Sequence, residues 1–406
     1  MDDQKIIIIG GGQAGCQTAT SLRASGFLGE ISIYCSENYL PYQRPPLSKK
    51  FLLGELDKER LFFKPEKFYR DNNINFFLNS YVTNIEKENK KIFLNNNEED
   101  SYDKLVIATG TKPREIEVDK DSAKNIFYLR SIDDVLEIKS KLQSSKKVAI
   151  IGGGYIGLEV AAILKKLGLS VTIIEMAGRI LERVTSQVIS DFYTKIHNEA
   201  GVEILINTSV ESIIKGTKNM EILTDSGSIN ADFIVVGIGV IPCDELALES
   251  GLKVQNGILV NEFCETSERD IYSAGDCTVH PNFYYNKDIR LESVHNAIEQ
   301  GKTVASSIMN KKEAYNQIPW FWSDQHDVNI QLIGIPEGWT KTVTRGDREA
   351  GQFILFYLKD GQIDGAAAIN SPRDIRFARR LMAAGKVVDP THLANPDVKL
   401  QSLLKD

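Results

Sequence analysis

Two glycine triplets of the same spacing are the residues on this chain best suited to chemistry: Gly10, Gly12 and Gly15 in one, Gly152, Gly154 and Gly157 in the other. In such a G-x-G-x-x-G turn one glycine makes the tight bend and one lets the backbone approach a pyrophosphate. The third lets helix and strand pack closely. The anion then rests on a helix N-terminus, where unpaired N–H groups and the helix dipole favour negative charge. Acids follow each triplet where a ribose is held: Glu175 lies eighteen residues after Gly157, and Ser36-Glu37 follow Gly15 at a similar distance. Further on, Asp276 ends an apolar stretch and Trp320-Phe321-Trp322 is the densest aromatic cluster. Arg373, Arg376, Arg379 and Arg380 crowd one segment opposed only by Asp374. The five cysteines (Cys16, Cys35, Cys243, Cys264, Cys277) form no C-x-x-C, and the five histidines lack metal-ligand spacing. Buried thiols and no metal chemistry are therefore expected.

The elements that must position these residues are legible around them. Lys5 to Ile9 is a β-branched run of the kind found in a fully buried parallel strand. A helix over 14–25, closed by Gly26, follows the first triplet, and 31–34 is the second strand. The loop 40–49 is stiffened by Pro41, Pro45 and Pro46 and carries the cations Arg44 and Lys49, the signature of a functional loop. Short strands over 74–93 precede a buried strand that ends at Ala108-Thr109-Gly110. The pattern then repeats with a strand at 147–151, the second triplet, a helix to Leu167 and a strand at 171–175. A helix over 188–199, short strands and a buried strand over 233–239 complete the repeat. Segments 74–79 and 103–107 match 202–207 and 232–236 in character, so the chain carries two copies of one dinucleotide-binding domain.

The block 257–308, with strands near 257–260 and 266–276 and a helix over 291–308, has no fingerprint and is expected to complete one of the earlier sheets. Beyond Pro319, strands over 328–333, 353–358 and 363–369 and a helix over 374–384 form a small α+β unit, with a turn at Asp360-Gly361. The expected fold is α/β: two Rossmann-like domains of the glutathione-reductase kind plus a C-terminal α+β domain. Their expected extents are 1–110 with 243–318, then 111–242, then 319–406.

A length of 406 residues allows two or three cores, and 42% hydrophobic with 25% charged residues is ordinary for a globular protein. A net charge of −7 argues against nucleic acid as a main partner. The isoleucine run is too short to span a bilayer and no signal segment is evident, so a cytoplasmic location without a membrane partner is expected.

Two dinucleotide sites on one chain suggest a relay. Nicotinamide exchanges hydrides and leaves, whereas flavin stays and turns a hydride into single electrons. The second site suits the nicotinamide: Glu175 would accept from both ribose hydroxyls and repel a 2′-phosphate. No arginine follows it immediately, although Arg179 and Arg183 are near, so NADH is expected over NADPH. Gly237 and Gly239 let the nicotinamide approach the backbone closely.

Over essentially its full length the chain resembles the FAD-dependent, NADH-using ferredoxin reductases. These feed aromatic-ring dioxygenases and class I bacterial cytochrome monooxygenases, and are relatives of apoptosis-inducing factor. The resemblance rests on the first triplet, Arg44-Pro45-Pro46-Leu47-Ser48-Lys49, Ala108-Thr109-Gly110 and Gly152 to Glu159. It continues through Ala274-Gly275-Asp276 and, most specifically, Pro319-Trp320-Phe321-Trp322-Ser323-Asp324-Gln325. It implies FAD on the first triplet, with Ala14 in the pyrophosphate loop, Arg44 and Lys49 from the proline loop, and Ala108 nearby. Val82 would meet adenine and Arg130 the phosphates. Asp276 would hold the ribitol, and Val294 would point its N–H at the flavin's pyrimidine edge. A carboxylate accepting polyol hydroxyls and a helix N-terminus facing negative charge make sense unaided. One departure stands: the family's ribose-binding acid falls on Ser36, with Glu37 one place later, so either Glu37 shifts to serve or Ser36 makes a weaker contact. NADH would lie on Gly152, Gly154, Tyr155, Ile156 and Gly157, with Glu175, Arg183, Gly237 and Gly239 around it.

By the same resemblance Lys49, Glu159 and Trp320 belong at the reacting centre, and Trp322 near the path to the partner. A cation beside the flavin's reactive nitrogen would favour the reduced anion, and a carboxylate would hold that cation in place. The plainer alternatives are a structural ion pair between domains and a pair of tryptophans in a strand-face core. Arg376 and Arg380 share a helix face at i, i+4 spacing. A basic face on an acidic protein suits an acidic [2Fe–2S] ferredoxin, with a merely solvated face as the alternative. The expected activity is electron transfer from NADH through FAD to that ferredoxin, by a monomer or homodimer. An NADH-sensing interaction protein of the apoptosis-inducing-factor type is the first rival. A peroxide or disulfide reductase is the second; it needs a redox cysteine facing the flavin, and loop 41–49 has none.

Overall fold

The computed structural model describes residues 3–216 and 219–404. Strand Lys5–Ile9 lies at the centre of a five-stranded parallel sheet ordered Ile271–Ser273, Lys104–Ile107, Lys5–Ile9, Glu30–Tyr34, Ile74–Phe77. Its four consecutive isoleucines are explained by burial on both faces. Ile6 and Ile8 pack toward helices Gln13–Ala24 and Val294–Ile308, while Ile7 and Ile9 meet Val82, Ile85 and Ile92 of a small antiparallel sheet. Strand Ile271–Ser273 enters this sheet from far along the chain, Ser273 lying 166 residues beyond its register partner Ile107. The fingerprint-free block thus packs beside the first triplet.

The second copy repeats the layers. Its parallel sheet runs Glu203–Leu205, Ser170–Ile174, Lys147–Ile151, Phe233–Val236, Ile126–Phe127. Val148 and Ile150 face helices, and Ala149 and Ile151 face an antiparallel sheet carrying Ile213, Met220 and Ile222. An antiparallel pair, Thr111–Pro113 with Val240–Pro242, ties the two crossings of the chain together.

Beyond Pro319 a five-stranded antiparallel sheet runs Trp320–Gln325, Val328–Gly334, Gln362–Ile369, Gln352–Lys359, Lys341–Asp347. Strand Gln352–Lys359 is buried on both faces. Phe353, Leu355 and Tyr357 pack against the second domain, while Ile354, Phe356 and Leu358 pack under helix Pro372–Ala384. Two of the five strands, Trp320–Gln325 and Lys341–Asp347, lie outside the segments the sequence pattern assigns. Their exposed or half-exposed residues blur the period of two on which that assignment depends.

The interior also holds two imidazoles. His197 and His280 are almost wholly buried, and burial pushes both down to about 4. A base whose pKa is depressed in the folded chain contributes stability above its unfolded pKa, near 6.5, and that stability is lost as pH falls toward 4. Each shift corresponds to roughly 3 kcal/mol. Thermal unfolding followed by circular dichroism should therefore show a midpoint that drops steeply between pH 6.5 and 4. His280→Leu, whatever its own stability, should show the shallower dependence.

Candidate functional site

Helix Gln13–Ala24 starts from Gly12, whose extended backbone (φ −81, ψ −165) has no side chain capping it. A β-carbon on Gly12 would meet nothing within 4 Å, so the first-turn N–H groups face open space. Gly10 (φ +114) and Gly15 are constrained differently: a β-carbon would run into Ala108 O at the first and Gly10 O at the second. Helix Tyr155–Lys166 repeats the arrangement on uncapped Gly154, with a β-carbon at Gly157 colliding with Gly152 O and one at Gly152 (φ +104) approaching Gly237 O at 2.5 Å. Two anion cradles, each built of backbone N–H groups, thus lie at the C-terminal ends of the two parallel sheets.

The residues around the first cradle suit a long dinucleotide bearing a polyol. Asp276, just past strand Ile271–Ser273, accepts from Arg130 Nη2 at 3.2 Å and Thr111 Oγ1 at 3.4 Å. Val294 is the first residue of its helix, N-capped by Ser293, whose hydroxyl accepts from Asn296 N–H at 3.0 Å, so the Val294 N–H is free of the helix ladder. Val82 lies in the core with Tyr34, so its side chain packs inward. Ser36 is exposed, whereas Glu37 is bonded to the proline loop through Arg44 Nη2 and Tyr42 OH, each at 2.5 Å. Arg44 in turn donates to Arg130 O at 2.7 Å. Glu37 therefore serves first to seat Arg44. An open glycine turn, a carboxylate at a strand end and a helix whose first N–H lies outside the ladder together fit FAD.

At the second cradle, Glu175 accepts from Gly153 N–H at 2.7 Å and Ala177 N–H at 2.8 Å, which fixes its carboxylate on the glycine turn. Arg179 is committed to Ser190 Oγ (2.5 Å) and Glu182 O (3.0 Å). Arg183 is exposed and lies beside Gly239, with Nη2 3.7 Å from the β-carbon position there. Ile156 is exposed on the cradle's helix, while the Tyr155 ring lies 4.7 Å from Phe321.

On the second cradle's own helix one carboxylate gathers all three domains. Glu159, 2% exposed, pairs with Lys49 Nζ at 2.7 Å through Oε2, which also accepts from the Ser48 hydroxyl. Its Oε1 accepts from Ser323 Oγ at 2.6 Å. Lys49 and Ser48 come from the first domain's proline loop, Glu159 from the second domain's fingerprint helix, and Ser323 from the C-terminal sheet. Burying two opposite charges is costly unless the remaining lone pairs are satisfied, and here three donors do so. On the other face of the strand that supplies Ser323, Trp320 and Trp322 stack with centroids 5.0 Å apart, and Trp320 meets His295 edge-on at 6.0 Å.

The four arginines do not act alike. Arg373, Arg376 and Arg380 are exposed, but Arg379 turns inward, donating to His295 Nε2 (3.2 Å) and Gln317 Oε1 (3.0 Å). Its half-buried guanidinium joins helix Pro372–Ala384 to Gln317 and to His295, which meets Trp320 edge-on. Residues the sequence did not single out include Ser48, Ser323, Gln325, His197 and Tyr42. The first three lie inside the proline-loop and tryptophan motifs, where a polar residue among apolar neighbours is the available signal; His197 carries none. Among the described residues, no helix is long and apolar enough to cross a membrane.

Residues 4–301 match the pyridine nucleotide-disulphide oxidoreductase family, and residues 320–404 match the reductase C-terminal family. The chain is similar to the ferredoxin–NAD(+) reductase component of the anthranilate 1,2-dioxygenase system of Burkholderia cepacia, at 39% identity over 100% of both chains. It is similar to putidaredoxin reductase of Pseudomonas putida, at 34% identity over 99% of this chain and 97% of that one. Among solved structures it is similar to the covalent putidaredoxin reductase–putidaredoxin complex, with a TM-score of 0.96 and 34% identity over 100% of this chain and 99% of that chain.

Proposed function

The chain belongs to the pyridine nucleotide-disulphide oxidoreductase family, with a reductase C-terminal domain, and we propose that it moves electrons from NADH through FAD to a [2Fe–2S] ferredoxin serving an oxygenase. The observation that carries this reading is the Glu159 carboxylate on the second cradle's helix, held by donors from three domains, with a stacked tryptophan pair on the strand that supplies Ser323. When bound, FAD supplies the conversion of a two-electron donor into two one-electron transfers. The protein's own part is orientation and electrostatics, without a general acid, base or nucleophile. Gly10, Gly12, Ala14 and Gly15 would cradle the flavin's pyrophosphate, Arg130 and Arg44 would stand on its phosphate side, and Asp276 would accept from the ribitol. Gly152, Gly154 and Gly157 would do the same for NADH, with Glu175 on its ribose and Gly237 and Gly239 leaving room for its ring. Lys49 would bring positive charge to the reacting face, and Glu159 would keep that ammonium from swinging to solvent.

The disulfide chemistry in the family's name is absent from this reading for a physical reason. All five cysteines are free, and burial pushes every one of their thiols up, Cys243 to about 11 and Cys35 to about 12. None is a ready thiolate nucleophile. A cytoplasmic site of action, where free NADH is abundant, goes with the reading.

Docking of the ferredoxin would use the exposed Arg373, Arg376 and Arg380 beside Trp322, with Arg379 behind them as a strut. Cytochrome c reduction by the flavin-loaded protein, NADH and a small plant-type [2Fe–2S] ferredoxin tests the whole assignment. Added ferredoxin should accelerate it far above the ferredoxin-free rate, and no acceleration would end the proposal. In the same assay, Arg376→Glu with Arg380→Glu should raise the KM for ferredoxin about tenfold at low salt. The penalty should shrink as salt screens the charges, while ferricyanide reduction by NADH holds steady.

A further inference from the structure

Strand Trp320–Gln325 lays alternate side chains on the second domain: Phe321 on the Tyr155 ring, Ser323 on Glu159 and Gln325 on His197. The last two contacts continue each other. Gln325 Nε2 donates to Ser323 Oγ at 3.2 Å, while its Oε1 receives His197 Nε2–H at 3.0 Å. His197 Nδ1 in turn lies 3.3 Å from His326 Nε2, on the turn that follows the strand. Ser323, Gln325 and His197 are fully buried.

Only one set of roles satisfies this row. The Glu159 carboxylate can only accept, so Ser323 must take an N–H from Gln325 Nε2, which leaves the Gln325 oxygen to receive an N–H from His197 Nε2. Ser323, already accepting, must then give its hydrogen to Glu159. Full burial, which pushes His197 down to about 4, keeps its ring neutral at pH 7, so with Nε2 protonated its Nδ1 is bare and accepts from His326. Every bond therefore points toward the carboxylate. Oε2 of Glu159 has Lys49 and Ser48, but Oε1 depends on Ser323 among the described residues. Without it a buried carboxylate oxygen loses its donor, and the group turns away from the geometry that aligns Lys49.

Building on the electron-transfer reading, we propose that Gln325 and His197 are positioning residues, which act through the Ser323 hydroxyl to set the Glu159–Lys49 pair for hydride transfer. The test is stopped-flow bleaching of the flavin by NADH, together with ¹⁵N imidazole spectra of the full flavin-bound chain. Ser323→Ala and Gln325→Leu should each slow the limiting bleaching rate about tenfold, with half-saturation by NADH changed less than about twofold. The double variant should be no slower than Ser323→Ala, because both changes break one path. Ser323→Thr, which keeps the hydroxyl, should run close to wild type. The spectra should show His197 protonated on Nε2 and bare on Nδ1 at neutral pH. Multiplicative losses in the double variant, losses confined to NADH half-saturation, or a His197 protonated on Nδ1 would overturn the proposal. If NADH fails to bleach the wild-type flavin at all, the oxidoreductase reading falls, and this inference with it. Normal bleaching in Ser323→Ala, Gln325→Leu and their double variant sinks the inference alone.

Discussion

Gly15→Ala should yield a largely colourless protein, whereas Gly157→Ala should stay yellow and lose its response to NADH. The two substitutions are chemically identical and sit at the third glycine of each triplet. In both, a β-carbon would run into the carbonyl oxygen of the first glycine of the same turn, Gly10 or Gly152. The obstacle is backbone, which cannot swing aside as a flexible side chain would, so the helix must move away from its strand. Overpacking of this kind costs about 3 kcal/mol. More to the point, it displaces the first-turn N–H groups from the pyrophosphate they are aimed at. Displacing helix Gln13–Ala24 should cost the resident flavin; displacing helix Tyr155–Lys166 should raise the KM for NADH at least about tenfold while flavin is retained. Absorbance at purification and steady-state ferricyanide reduction read the two outcomes. Flavin lost from Gly157→Ala and kept in Gly15→Ala would mean that the two sites are reversed.

Glu159→Gln should be nearly as damaging, and for the opposite reason, since it changes shape hardly at all. The carboxylate is 2% exposed and accepts from Lys49, Ser48 and Ser323. A carboxamide keeps one oxygen and turns its N–H₂ either toward the Lys49 ammonium, which has no lone pair to offer, or toward Ser323, whose hydroxyl must then accept where it had donated. Removing one partner of a buried pair costs about 3 kcal/mol, because the other charge remains buried. Loss of the ammonium's alignment should slow flavin reduction by NADH on the order of a hundredfold, the scale seen when one preorganised electrostatic group is removed. Differential scanning calorimetry and stopped-flow bleaching measure the two effects separately. A thermal shift with an unchanged bleaching rate would reduce the pair to an inter-domain bolt and remove it from the reacting centre.

The two cradles are fully legible in the sequence, because their information is local. A buried strand, a glycine turn and a helix start fall within a short stretch of chain, and each glycine's role follows from its own neighbours. The buried strands are legible for a related reason: Ile6 to Ile9 and Phe233 to Val236 are apolar on both faces, a pattern that needs no partner to be recognised. Strands Trp320–Gln325 and Lys341–Asp347 escape the sequence pattern, since a half-exposed strand has meaning only beside its sheet neighbours. Arg379 shows the same limit at a single residue. Its neighbours Arg376 and Arg380 face solvent, and only the packing of helix Pro372–Ala384 beside His295 and Gln317 turns it inward.

Glu37 and Glu159 divide what each level of description decides. That acids follow the glycine turns, and that Glu159 lies one helical turn beyond Tyr155 on the fingerprint helix, belongs to the sequence by itself. So does the pairing of two cradles on one chain, from which a relay between two nucleotides follows. What the acids hold belongs to the tertiary structure alone. Glu37 closes on Arg44 because a proline-stiffened loop folds back over it. Glu159 meets Ser48 from 111 residues away and Ser323 from 164 residues away. Glycine turns and strands are set by sterics between near neighbours. A buried carboxylate, in contrast, is defined by whichever donors the packing of three domains brings within hydrogen-bond reach.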